Sequence, residues 1–138
     1  MNSSDHKLKS RSPKGFTLVE IMIVVAIIAL LAAISIPGFL RARKRSQGTI
    51  IKNDLRWIDS AKDQYAIEYN KTLVTPDVAD LTPYFKSGSR LGNAVGSLTD
   101  IFGNPFTIHD LNTLPSIDPG TKAGLADVCD ANFFSPFQ

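Results

Sequence analysis

Apolar and polar positions alternate differently in successive stretches of this chain. Residues Ile21 to Ile34 are apolar without exception, and between Phe16 and Leu40 only Thr17, Glu20, Ser35, Pro37 and Gly38 interrupt the run. At ~1.5 Å of rise per residue, Ile21 to Leu40 makes roughly 30 Å of helix, the hydrocarbon thickness of a bilayer, so the run can span a membrane. From Ile51 the pattern turns amphipathic. Ile51, Leu55, Ile58, Tyr65 and Tyr69 recur at helical intervals, while Lys52, Arg56, Asp59, Lys62, Asp63 and Glu68 fill the other faces. Pro37-Gly38 removes one backbone donor and adds freedom, which predicts a kink or local melting with helix resuming beyond it. Phe16 to about Tyr69 is then a helix of ~80 Å, apolar all round in its first half and one-sided in its second. That one-sided face needs cover.

The cover must come from the remaining residues, about 70, which bury only a modest core and count as one domain. Thr75-Pro76 and Thr82-Pro83 each pair a capping residue with a Pro suited to the first helical position, predicting short helical turns within 76–86. Residues 87–97 form a loop by composition. Leu98 to Ile108 reads as two short strands around Gly103-Asn104-Pro105, with Phe106 and Ile108 alternating toward one face. Pro119 to Asp130 is expected as a short helix capped by Asp118, offering Ala123, Leu125, Ala126 and Val128 for burial. Phe133, Phe134 and Phe137 are expected to pack on the head, with contact between subunits as the alternative. The fold class is α+β: a long amino-terminal α-helix packed on a small carboxy-terminal head with a short antiparallel sheet.

Charge sharpens the picture. Residues 1–15 carry Lys7, Lys9, Arg11 and Lys14 against Asp5, a net +3, and Arg41, Arg43, Lys44 and Arg45 follow the apolar run with +4. A secretory signal peptide also begins basic and then apolar, but no Ala-x-Ala site ends this run, which favours an uncleaved anchor. The two basic clusters give no clear orientation by the positive-inside rule. Residues 46–138 contain seven Lys/Arg and eleven Asp/Glu, so the head is acidic at −4 and bulk attraction to nucleic acid is not expected. Glu20 is the anomaly. A carboxylate inside a membrane-length segment costs on the order of 2.5–3.5 kcal/mol on insertion scales, and such groups usually have a partner and a task.

The leader ending in Lys14-Gly15, followed by Phe16-Thr17-Leu18-Val19-Glu20 and then Pro37, resembles the processing and assembly segment of type IV pilins and the related pseudopilins, over about residues 14–45. The resemblance implies a prepilin peptidase that cuts after Gly15 on the cytoplasmic side and methylates the new amino terminus at Phe16. It places Glu20 and Pro37 where this family carries its Glu and its helix-perturbing Pro. It divides the chain into a leader (1–15), a transmembrane and assembly helix (16–40), and an amphipathic continuation with a globular head (41–138). The implied partners are the prepilin peptidase/methyltransferase, identical and related pilin subunits, an inner-membrane assembly platform and membrane lipid. The implied location is the bacterial inner membrane, single-pass, leader cytoplasmic and head periplasmic, then a periplasmic or extracellular filament.

Elementary electrostatics gives Glu20 a role consistent with that resemblance. Cleavage would free an α-amino group at Phe16 with a pKa near 7.7–8.0, and Glu20 of one subunit could neutralise the amine of its neighbour. Unpairing a buried charge costs roughly 3–5 kcal/mol, so such a bond would fix axial register. The plainer alternative is that Glu20 snorkels to the headgroups. Asp100-x-x-Gly103-Asn104-Pro105-Phe106 also resembles a stretch in the heads of the major pseudopilins of type II secretion systems, whose heads hold calcium in a carboxylate-bearing loop. Asp110, Asp118, Asp127 and Asp130 are too scattered here for the six to eight oxygens of such a cage, so no metal and no cofactor is expected. The disulfide of many type IV pilins is excluded within the chain because Cys129 stands alone; it is expected as a small buried residue.

Catalytic chemistry finds no footing. His6 lies in the leader, His109 is alone in an expected strand, and there is no Cys-His pair, metal-ligand spacing, Gly-Lys-Ser/Thr loop or Gly-x-Ser-x-Gly. The three glycines Gly88, Gly92 and Gly96 have the spacing of a membrane helix-dimer motif, but Arg90 and Asn93 between them argue against a bilayer. No catalytic residue is expected. A filament subunit is the favoured function, with a solitary membrane-anchored binding module as the alternative. Adhesion or motility pilus, secretion pseudopilus and DNA-uptake pilus remain open.

Overall fold

The computed structural model describes residues 14–137. The chain divides into two units at Pro37 and Gly38. One helix, α1 (Leu18–Tyr69), contributes to both and contains Pro37 without interruption. The melting expected at Pro37-Gly38 is therefore not found: both residues are helical and α1 runs on to Tyr69. The helix ends where Asn70 turns to φ 47° and the Lys71 N–H reaches back 3.2 Å to the Ala66 carbonyl, a left-handed stop of the kind Asn tolerates.

In the first unit every large apolar side chain from Phe16 to Ile36 is at least half exposed. The helix from Leu18 is long and apolar enough to cross a membrane, with none of its most hydrophobic window buried.

In the second unit α1 buries Gly48, Ile51, Leu55, Ile58, Ala61, Lys62 and Tyr65, a stripe at alternating three- and four-residue spacing. Against it pack Leu81, Phe85, Leu91, Leu98, Phe106, Ile117, Leu125, Cys129, Phe134 and Phe137. The carboxy-terminal rings thus join the head's own core, with Phe133 and Phe134 edge to face at 5.0 Å. Two expected members of the stripe change places: Tyr69 is 54% exposed, whereas Lys62, assigned to a polar face, is 1% exposed. Tyr69 lies in the helix's last turn, and Lys62 falls three residues before Tyr65 and four after Ile58, on the apolar seam itself.

The short elements follow their capping chemistry. Helix α2 (Val78–Leu81) starts after Asp77, whose N–H donates 3.0 Å to the Asp80 carboxylate, so the cap is Asp77 and not Thr75. A 3₁₀ turn (Thr82–Tyr84) with Pro83 in its first turn continues it. Helix α3 (Pro119–Gly124) is capped by Asp118, which accepts from the Gly120 and Thr121 N–H groups at 2.8 and 3.1 Å; it stops at Gly124, short of the expected Asp130.

The long helix of the α+β expectation is present, and its short antiparallel sheet is the part corrected here. Among the described residues there is no strand, only two isolated antiparallel bridges, Thr99 with Pro105 and Thr107 with Ser116. Pro105 and Pro115 lack the N–H that would extend each pairing. Asp100 takes the Phe102 and Asn104 N–H groups on its side chain instead of leaving them to a ladder. His109, expected in a strand, stands at φ 57°, where a strand cannot continue.

Candidate assembly site

Thr17 is the first polar side chain of the apolar run, and it caps α1. The Glu20 N–H donates 3.1 Å to the Thr17 hydroxyl oxygen, while Glu20 Oε2 accepts from the Thr17 N–H at 2.8 Å and from its hydroxyl at 3.0 Å. This is a reciprocal capping box. Sequence reading passed over it, although Thr-x-x-Glu ahead of an apolar run is its signature. One carboxylate oxygen of Glu20 is thus committed locally, and Oε1 has no hydrogen bond among the described residues. A charge-assisted bond to a second donor remains open to it.

The other expected site residues lie along the same segment without gathering into a pocket. Gly15 and Phe16 precede the helix in exposed, non-helical chain, and among the described residues nothing beyond its chain neighbours lies within 4 Å of the position a Cβ on Gly15 would take. Pro37 lies inside α1. Of the expected leader 1–15, residues 1–13, His6 included, lie outside the described residues. The segment therefore presents an exposed, non-helical chain around the Gly15–Phe16 bond and a capped apolar helix beyond Thr17.

The head holds polar groups that sequence reading missed. Lys62 Nζ donates to the carbonyls of Ile108 and Thr113 at 2.8 and 2.5 Å, pinning the loop between them to α1. Burial pulls its ammonium below the ordinary lysine range, against the opposing pull of Asp59, Asp110 and Asp63. Asp100 is a buried hub: Oδ1 accepts from Phe102 and Asn104, and Oδ2 accepts from the Thr121 hydroxyl at 2.5 Å, tying the Gly103-Asn104 turn to α3. Asp54 pairs with Arg90, yet burial still raises its pKa more than the arginine lowers it. The signal for Lys62 was the gap in the apolar stripe between Ile58 and Tyr65; Asp100 gave none beyond its motif.

The four acids weighed for a metal go separate ways. Asp118 caps α3, Asp127 pairs with Lys44 at 2.8 Å, and among the described residues no three His, Cys, Asp or Glu side chains converge as ligands. His109 Nε2 lies 3.0 Å from the Ser116 hydroxyl. Cys129 is buried, and desolvation raises its thiol pKa.

Comparison with known proteins points the same way as this geometry. The prokaryotic N-terminal methylation motif matches residues 10–36. A type II secretion system core protein G of Pseudomonas aeruginosa is 36% identical over 122 residues, covering 83% of this chain and 80% of that protein. The chain belongs to the type IV pilin and pseudopilin family. A type IV wide pilus major component of Thermus thermophilus is 47% identical over 60 residues, 44% of this chain and 46% of that protein. A type IV major pilin of Myxococcus xanthus is 43% identical over 58 residues, 42% of this chain. The chain matches only about half the length of the Thermus relative, 46%, and 26% of the Myxococcus one. No solved structure matches significantly. The relatives named here are components of pili and of a secretion system, and none is named as an enzyme.

Proposed function

We propose that this chain is a filament subunit, held in the inner membrane by the apolar segment from Phe16 to Leu40 with its leader cytoplasmic and its head periplasmic. A prepilin peptidase/methyltransferase cuts after Gly15 and methylates Phe16, and an inner-membrane assembly platform moves the subunit from lipid into a filament of identical and related subunits. The carrying observation is an apolar half-helix exposed on every side with one carboxylate at its start. Such a surface is stable in only two surroundings, lipid before assembly and copies of itself afterwards. Glu20 then pairs with the Phe16 amine of a neighbour through the oxygen its capping box leaves open. The runner-up, a solitary membrane-anchored binding module, leaves that charge without a task.

A secretion pseudopilus is favoured over an adhesion pilus. The likeness to core protein G covers 83% of the chain, and a stretch that long runs well past Tyr69 into the head wherever it starts.

Glu20 has two competing roles, and one pair of variants separates them. Glu20→Gln keeps a side chain able to close the capping box but removes the charge; Glu20→Ala removes both. The pairing account predicts that both abolish filaments in electron micrographs while membrane levels stay normal. Normal filaments from Glu20→Gln alone would show that helix capping suffices and overturn the pairing.

A further inference from the structure

We propose that Arg41 and Arg45 hold the headgroup phosphate of an anionic phospholipid; the inference rests on the membrane-spanning reading above. The apolar run ends at Leu40, and the next five residues carry Arg41, Arg43, Lys44 and Arg45. Positions 41 and 45 are one helical turn apart on α1 and share a face. That face borders a cleft of about 310 Å³ lined by Arg41, Ala42, Arg45, Asp127 and Val128. Two guanidinium groups can take a phosphate's oxygens in bidentate fashion, and Ala42 with Val128 offers apolar walls to the glycerol beside it.

The charges in and around the cleft are already sorted. Asp127, which would repel an anion, is neutralised by Lys44 at 2.8 Å, and that bond holds its carboxyl below the usual range. Among the described residues no salt bridge engages Arg41, Arg43 or Arg45, so the positive band keeps capacity for an outside anion. Residues 46–138 carry a net −4, leaving this band as the one concentration of positive charge in the second unit. A lipid phosphate is the favoured source because the band begins where a bilayer's hydrocarbon would end. The site would hold the subunit in its lipid store until polymerisation draws it out.

The test embeds the full chain in nanodiscs of equimolar phosphatidylcholine and phosphatidylglycerol and reads retained lipid by native mass spectrometry. Phosphatidylglycerol should be retained preferentially, and Arg41→Gln with Arg45→Gln should cut the preference by about twenty-five-fold, taking about fivefold per arginine near the surface. Arg43→Gln should cost less than either single change. Asp127→Asn, which removes the carboxylate from the cleft and frees Lys44, should raise retention, a gain that misfolding cannot imitate. Equal retention of both lipids by the unaltered chain, or an Arg43→Gln loss matching that of Arg41→Gln, would overturn the site. Displacement of the lipid by equimolar inorganic phosphate would assign the cleft to free phosphate and overturn it too. Loss of filaments in the Arg41/Arg45 variant with unchanged lipid preference would point to an acidic protein partner instead. A chain that fails to insert into the nanodiscs defeats the spanning reading along with this one; a chain that inserts but retains both lipids equally defeats this one alone.

Discussion

Lys62 places an ammonium among Ile58, Tyr65 and the carbonyls of Ile108 and Thr113, where a helix of this pattern would ordinarily carry Leu. Lys62→Met keeps most of the stem but strands two buried carbonyls, and should lower the head's unfolding free energy by about 2 kcal/mol in urea titrations. The pH dependence has a definite sign. The folded pKa lies below 10.5, so between the two values the unfolded chain binds the extra proton, and stability rises with pH up to about 10.5 and falls as pH drops. Tyr84, pushed up to about 12 by its hydrogen bond to Glu68, acts oppositely above pH 10, so the difference between the wild type and Lys62→Met isolates the lysine. A difference independent of pH between 7 and 10.5 would contradict the burial of a shifted ammonium. Gly48 makes a second single-residue case. A Cβ there would lie 2.8 Å from Cys129 Sγ and 3.2 Å from Phe133 Cε1, so Gly48→Ala should destabilise by about 1 kcal/mol or more despite its better helix propensity. Adding Cys129→Ala should recover part of that loss; strictly additive losses in the double-mutant cycle would show that the two sites do not touch.

At the scale of elements, the amino acid pattern specified helices well and pairing poorly. The α1 seam, the Asp118 cap and the buried Phe134 and Phe137 were legible because each rests on local spacing or on apolar content. The sheet was misread because Phe106 and Ile108 alternate as strand residues do, while Pro105, Pro115 and the side chain of Asp100 remove the donors a ladder needs. The Thr17 box was legible as Thr-x-x-Glu and was passed over, whereas Lys62 was misread for a different reason. Long polar side chains are assigned outward by pattern, but their fate is decided by carbonyls and N–H groups that only the folded chain brings near. Asp100 is the clearest case, since its one carboxylate orders a turn and fastens it to α3. Asp100→Ala should cost about 3 kcal/mol by stranding buried donors. Amide hydrogen exchange should show the loss at 101–104 and 119–124 and leave α1 residues 51–58 protected. Uniform loss of protection across the head would mean Asp100 serves global packing and not this junction.

For the whole molecule, a single helix answers to two solvents. Its first half carries no cover among the described residues, and its second half is covered by the head, so the proposed exchange of lipid for like helices would leave the core folded. The exchange proposed above would require Gly15–Phe16 cleavage, since the Phe16 amine does not exist before it. The intact mass of subunits from filaments sheared off the native cell surface, or pelleted from the periplasm, tests this most directly. The predicted species begins at N-methylated Phe16 and comes from a polymer. Recovery of this chain only as a monomer with Lys14-Gly15 still attached would contradict the account.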